Sequence, residues 1–116
     1  MIKTSELREK KCRHLETGLH ALEIVDYLKA VEAWDVQDGK IVKTYNFKNY
    51  YETLAFINAI AYVIHAEDHH PELIVTYNSC VVKFDTHSVN DGHGGLSEND
   101  FICAAKVDAI FQQSFA

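Results

Sequence analysis

The sequence predicts an α+β two-layer sandwich: a four-stranded antiparallel sheet with helices on one face, in the order α-β-β-α-β-β-α. Three observations carry that reading. Two pairs of β-patterned segments are each closed by a short turn, at Asp38-Gly39 and at Asn78-Ser79. Apolar residues at helical spacing precede, separate and follow these pairs, and hairpins interleaved with helices pack as a sheet covered by a helical layer. The chain has 116 residues, and a second core needs roughly 50 more of its own.

Taken in order, residues 1–16 alternate charges with few apolar partners and read as a polar, flexible lead-in to a single domain over 17–116. They carry no apolar stretch of the kind a secretory signal needs. Leu19, Leu22, Val25 and Leu28 predict a helix near 19–31. Trp34 and Val36, then Ile41, Tyr45 and Phe47, predict strands at 33–37 and 40–47. Asp-Gly between them supplies two residues that tolerate positive φ. Asn49 caps a helix running to about 67, with Glu52 in a variant capping box. That helix is apolar on two faces, through Tyr50, Leu54, Ile57, Ala61 and Ile64 and through Phe56, Ile60 and Val63. The sheet covers one face, and a second subunit is expected on the other. Pro71 ends the region, because the residue before a proline is pushed out of the helical conformation. Residues 72–77 and 80–87 are β-rich. In the second, Cys80, Val82 and Phe84 share one face, and His87 shares the other with Lys83 and Asp85. A Gly-rich loop at 88–95 leads to Ser97, which caps a final helix to about 112 with Asp100 at its third position.

Composition narrows the function. Net charge is −6 with His neutral, which argues against binding a phosphate backbone, since that rests on clustered Lys and Arg. No apolar run reaches the roughly 20 residues of a membrane span. Cys12, Cys80 and Cys103 have no CxxC spacing and read as free thiols of a reducing, cytoplasmic compartment. The chain carries seven His, and His65, His69, His70 and His87 lie close together in sequence. His69-His70 sits where the helix must stop before Pro71, and His87 lies at the end of the last strand, which the sheet can carry back to the pair.

The ordered set His65, His69-His70-Pro71, Tyr77, His87 and Asp100 resembles the pterin-4a-carbinolamine dehydratase family, also called 4a-hydroxytetrahydrobiopterin dehydratases. Trp34, Tyr45-Asn-Phe-Lys-Asn-Tyr50, Leu54-Ala-Phe56, Gly95-Leu-Ser-Glu-Asn-Asp100 and Ala104-Ala105-Lys-Val look like sequence of the same family. The resemblance covers about residues 18–112. Three positions depart from it: His65 stands where the family often has an acid, Leu73 where it often has a bulky aromatic, and the loop carrying His93 is longer.

The resemblance implies dehydration of 4a-hydroxytetrahydrobiopterin to quinonoid dihydropterin and water, with His69, His70 and His87 converging on the pterin. It makes His65, Asp68, Pro71, Tyr77 and Asp100 binding or orienting residues, with Tyr77 packing at the pocket floor. His69 and His87 are assigned the acid/base work, and His70 binding. Imidazole suits that work, because its ordinary pKa near 6.5 lets it give or take a proton at neutral pH. No electron or hydride moves, so no cofactor or metal is expected. The family further implies a homodimer or homotetramer and a functional link to aromatic amino-acid hydroxylases, without direct nucleic-acid or membrane contact. Two other classes compete. One is a non-catalytic dimerisation or assembly cofactor on the same fold. The other is a metal protein using His65 and His69, four apart on one helical face, with His87 and an acid. A dehydration assay separates the first from the enzyme, and a metal assay separates the second.

Overall fold

In the computed structural model, which describes residues 1–116, Asp38 and Gly39 both take positive φ, 51° and 79°. They close the hairpin between β1 (Asp35–Gln37) and β2 (Lys40–Asn46). The second hairpin joins β3 (Glu72–Val75) to β4 (Ser79–Phe84), its turn tied by the Thr76 N–H donating to the Ser79 carbonyl at 2.9 Å. β2 pairs with β4 along its length, from Ile41 opposite Phe84 to Asn46 opposite Ser79. The antiparallel order is therefore β1-β2-β4-β3. Both observed hairpins start or stop a residue or more inside the predicted bounds. β4 ends at Phe84, and the chain then makes an isolated bridge between Thr86 and Gly95 instead of continuing as strand to residue 87.

The helices are α1 (Thr4–Glu9), α2 (Ala21–Leu28), α3 (Tyr50–Glu67) and α4 (Glu98–Ser114). α3 starts as its sequence dictates, with the Glu52 N–H donating to Asn49 Oδ1 at 3.0 Å. It stops at Asp68, whose φ of 50° turns the chain out of the helix three residues before Pro71. α4 opens with a full capping box between Ser97 and Asp100. α2 is shorter than predicted, because His20 acts as its cap: the Glu23 N–H donates to His20 Nδ1, and the His20 N–H to Glu23 Oε1.

The helical layer packs on the face of the sheet that carries Ile41, Tyr45, Cys80, Val82 and Phe84. Phe56, Ile60, Phe101, Ile102 and Val107 fill the space between. Full burial of such side chains contributes roughly 1.5–3 kcal/mol each, so the sheet–helix interface is the main source of stability. Beside it, Asp108 accepts hydrogen bonds from Trp34 Nε1, Lys43 Nζ and the Tyr45 hydroxyl. The N-terminal segment differs from its expected loose form. Residues 4–9 are helical, Leu7 is fully buried in the core, and Thr4 Oγ1 donates to the Ala30 carbonyl at 2.6 Å. Tyr51 and Tyr62 of α3 stay exposed on this single chain.

Candidate active site

The turn at Asp68 aims the next residue, His69, back over the end of the sheet. Its ring stacks on Phe84 with 5.8 Å between centroids and 6° between planes. Its Nε2 lies 2.6 Å from Asp100 Oδ1. Asp100 is fully buried in the first turn of α4 and accepts two further hydrogen bonds on Oδ2, from the Ser97 N–H at 2.8 Å and the Thr86 hydroxyl at 2.9 Å. Thr86 has one hydroxyl proton and gives it to Asp100, so the Ser97 hydroxyl, 2.7 Å away, donates to Thr86 Oγ1. Ser97 Oγ in turn accepts the Asn99 N–H at 3.2 Å. Three elements are locked by this chain: the end of α3, the exit of β4 and the start of α4. The Thr86–Gly95 bridge holds the last two together, with N···O distances of 2.8 and 3.1 Å.

The network fixes the tautomer of His69. A buried carboxylate that already takes two donors acts as acceptor, so Nε2 carries the proton shared with Asp100. Nδ1 has no hydrogen-bond partner in the protein and is left for a ligand. Asp100 thus serves both as helix cap and as the orienting partner of His69.

A cleft of about 250 Å³ opens over this point, lined by Asp68, His69, His70, Asp85, Thr86, His87 and Ser88. His69 is mostly buried in its wall, whereas His70 and His87 are exposed at its rim. His70 Nε2 lies 3.3 Å from Asp68 Oδ1, and His87 Nε2 lies 3.8 Å from Asp85 Oδ1. The fold therefore brings His69, His70, His87 and Asp68 to one cleft, with Asp100 directly behind it and Pro71 fixing the chain as it leaves. Such a constellation gathers three imidazoles, side chains of a kind that can give or take a proton, in one small volume.

Two residues expected in the site lie elsewhere. Tyr77 lies in the turn between β3 and β4, exposed and stacked on Tyr50 with centroids 6.2 Å apart. The resemblance set Tyr77 among the site residues, and in this single chain it lines neither this cleft nor the one adjoining it. His65 is on the exposed side of α3 and lines neither wall. The helix stops at Glu67, so His65 and His69 share no helical face, which removes the geometric basis of the metal reading. No group of three His, Cys, Asp or Glu side chains is arranged to hold a metal ion. Thr86 was missed from sequence. Its signal was a polar residue with the parity of Phe84, on the core face, beside His87.

The family model described as pterin 4 alpha carbinolamine dehydratase matches residues 17–110. The chain belongs to this family. A protein of Bdellovibrio bacteriovorus named, provisionally, pterin-4-alpha-carbinolamine dehydratase is 55% identical over 116 residues, covering 100% of this chain and 97% of that one. A Nitrosomonas europaea protein of the same provisional name is 49% identical, covering 97% and 99%. Among solved structures, a transcriptional coactivator/pterin dehydratase from Brucella melitensis matches with a TM-score of 0.73 at 30% identity, covering 81% of this chain and 98% of that one. A pterin dehydratase-like protein identified as a RuBisCO assembly factor in the alpha-carboxysome shares the fold, with a TM-score of 0.54 at 23% identity over 66% of this chain and 84% of that one. No helix of this pterin carbinolamine dehydratase family member is long and apolar enough to cross a membrane.

Proposed function

We propose that the chain is a hydro-lyase that converts a 4a-hydroxytetrahydropterin to the quinonoid dihydropterin and water. The observation that carries this is His69, held by a buried carboxylate with Nδ1 free, in a cleft that it shares with His70 and His87. His69 Nδ1 removes the N5 proton of the carbinolamine. The electron pair released at N5 forms the N5–C4a double bond, and the C4a–O bond breaks. His87 protonates the departing hydroxyl, which leaves as water. His69 then holds the proton taken from N5, the proton lost by His87 leaves in the water, and exchange with solvent at the open cleft restores both. Asp100 stabilises the imidazolium formed on His69, and His70, beside Asp68, positions the pterin. The chemistry moves only protons, so it needs no metal or redox cofactor. Its place is in regenerating tetrahydropterin for aromatic amino-acid hydroxylases, in the cytoplasm, with a homodimer or homotetramer as the working form.

The description of the Brucella melitensis relative as both coactivator and dehydratase keeps a binding role on the same fold as the second reading. The test is dehydration of a carbinolamine generated in situ, followed by absorbance against the uncatalysed rate and repeated after exhaustive chelation. Acceleration that survives chelation is expected. His69→Ala and His87→Ala each lower kcat by about 10²–10⁴, with the spontaneous reaction as floor, and His70→Ala mainly raises KM. Absence of acceleration by the wild-type chain contradicts the enzyme reading and favours the binding role.

A further inference from the structure

Residues 1–16 form an arm that lies outside the family match at 17–110, and one of its side chains meets a thiol of the matched domain. Cys12 Sγ lies 3.6 Å from Cys103 Sγ, although the two residues are 91 positions apart in sequence. Cys103 is in the second turn of α4 and fully buried. Cys12 is half-buried and lines a second cleft, of about 340 Å³, that adjoins the histidine cleft. Cys12 has one thiol proton and gives it to the Asn99 carbonyl at 3.6 Å, so Cys103 donates to Cys12 Sγ. Cys80 is buried on β4 and takes no part in this contact.

The backbone on each side of Cys12 is anchored. The Cys12 N–H donates to Glu67 Oε1 at 2.8 Å. Asn99 accepts the Arg13 N–H at 3.2 Å and donates Nδ2 to the Arg13 carbonyl at 2.6 Å. Lys10 Nζ and Arg13 Nη1 both donate to the Glu98 carboxylate, at 2.8 and 2.9 Å. Glu67, Glu98 and Asn99 are all buried, so the arm is seated by groups that need it as a partner. A disulfide holds its sulfurs about 2.05 Å apart. The remaining gap of roughly 1.5 Å is one that side-chain rotation and a small shift of the arm can close. Buried free thiols ordinarily pack as small apolar groups and are inert, which describes Cys80. The pair differs: one thiol is reachable from a cleft, and the other stands behind it at contact distance. That is the arrangement of a reacting thiol with a resolving partner.

We propose that Cys12 and Cys103 form a reversible modification site, oxidised by hydrogen peroxide to a disulfide that straps the arm to α4. The Cys12 sulfur attacks one peroxide oxygen, the O–O bond breaks, and the second oxygen leaves as water. Cys12 is then a sulfenic acid. Cys103 Sγ attacks Cys12 Sγ, the S–O bond breaks, and the hydroxyl leaves with the Cys103 proton as a second water. Two thiols lose two electrons, and one peroxide gains them. Burial and the hydrogen bond to Cys12 raise the Cys103 thiol, so the second step is the slower one. A small thiol such as glutathione reverses the bond: one molecule opens it as a mixed disulfide, and a second releases the protein thiol and leaves as the small disulfide. In a reducing compartment the pair rests as thiols, and the strap forms on exposure to oxidant. The ion pairs that seat the arm in the reduced chain weaken with salt. The disulfide does not, and it constrains the unfolded chain over most of its length. The dehydration chemistry plays no part in these steps, so the site stands apart from the dehydratase reading.

The test treats the full chain with stoichiometric hydrogen peroxide, alkylates the remaining thiols in denaturant, and reads the product by mass spectrometry. The expected product has lost two hydrogens, is alkylated at Cys80 alone, and yields a linked Cys12–Cys103 peptide. Dithiothreitol restores all three alkylatable thiols. Oxidation raises Tm by roughly 5–15 °C, because the cross-link closes most of the chain. The rise is absent in Cys12→Ser, whose substitution is confined to the arm, and is kept in Cys80→Ala. Cys103→Ala stops the reaction at a sulfenic acid on Cys12, trapped by a dione reagent; should this core variant not fold, the wild-type product and Cys12→Ser decide the matter. A wild-type chain that stays unmodified, oxidises no further than Cys12 itself, or links two chains through Cys12 overturns the proposal. A Cys12–Cys103 disulfide that leaves Tm unchanged overturns it as well.

Discussion

Replacing Asp100 by Asn separates the two jobs of one carboxylate. In the wild-type chain Asp100 accepts from His69 Nε2, the Ser97 N–H and the Thr86 hydroxyl. Asn has one acceptor oxygen and one donor group in the same shape. If the oxygen stays toward Ser97 and Thr86, the amide N–H₂ faces His69 Nε2 and forces it to become an acceptor. The ring proton then moves to Nδ1, and His69 can no longer act as the base proposed above. If the amide is turned the other way, the cap is lost and two donors in a fully buried site go unpaired. Hydrogen bonds to charged groups contribute about 1.5–3 kcal/mol each, and part of the network survives in either orientation. The expected loss is therefore about 2–4 kcal/mol, or on the order of 10–20 °C in Tm for a domain of this size. The turnover number should fall by about 10²–10⁴, as for loss of the base itself. Thr86→Val is the control: it removes one donor to Asp100 Oδ2, costs stability, and leaves the His69–Asp100 pair. Calorimetry and the dehydration assay on both variants check this. An Asp100→Asn variant that is folded and turns over at near wild-type speed refutes the orienting role.

Three further outcomes follow from other parts of the molecule. Burial alone would raise the pKa of Glu98, but hydrogen bonds from Lys10, Arg13 and Tyr27 outweigh it and hold the carboxyl at about 2, below its ordinary 4.5. Its folded-state value is depressed, so its contribution is present above about pH 4.5 and lost as pH falls toward 2; acid unfolding of Glu98→Gln should be less steep over that range, and an unchanged slope contradicts the assignment. Cys80 is buried, which pushes its thiol up to about 11, and Cys103 is buried and raised by its hydrogen bond to Cys12. An aromatic disulfide reagent should therefore titrate only Cys12 in the native chain and all three thiols in denaturant, and two fast native thiols would contradict the packing. The exposed Tyr51 and Tyr62 of α3 predict a dimer or tetramer in sedimentation at micromolar concentration, and a stable monomer counts against it.

What could be read from the sequence was what local chemistry decides. Asp38-Gly39 has a turn preference, Asn49 and Ser97 have capping preferences, and Pro71 has a steric effect on its neighbour. The elements they bound came out in the right order, with ends within a few residues. The arm was not legible, because a single Leu7 among charges gives no local signal and its burial depends on α4, some ninety residues away along the chain. The cap of α2 was hidden because His20 is not among the usual capping residues. At the site, the grouping of His69, His70 and His87 followed from element ends, which sequence marks. The placing of Tyr77 required knowing which end of the sheet faces the cleft. The role of Thr86 required the Thr86–Gly95 bridge, a contact across the loop that no pattern announces.

The central claim is that paired imidazoles move the two protons of a dehydration. Its most direct measurement is the rate of carbinolamine dehydration by the double variant His69→Ala/His87→Ala, with circular dichroism confirming the fold. The account predicts a rate close to the uncatalysed one, because neither proton then has a partner in the cleft. A folded double variant that dehydrates the carbinolamine at near wild-type speed contradicts it.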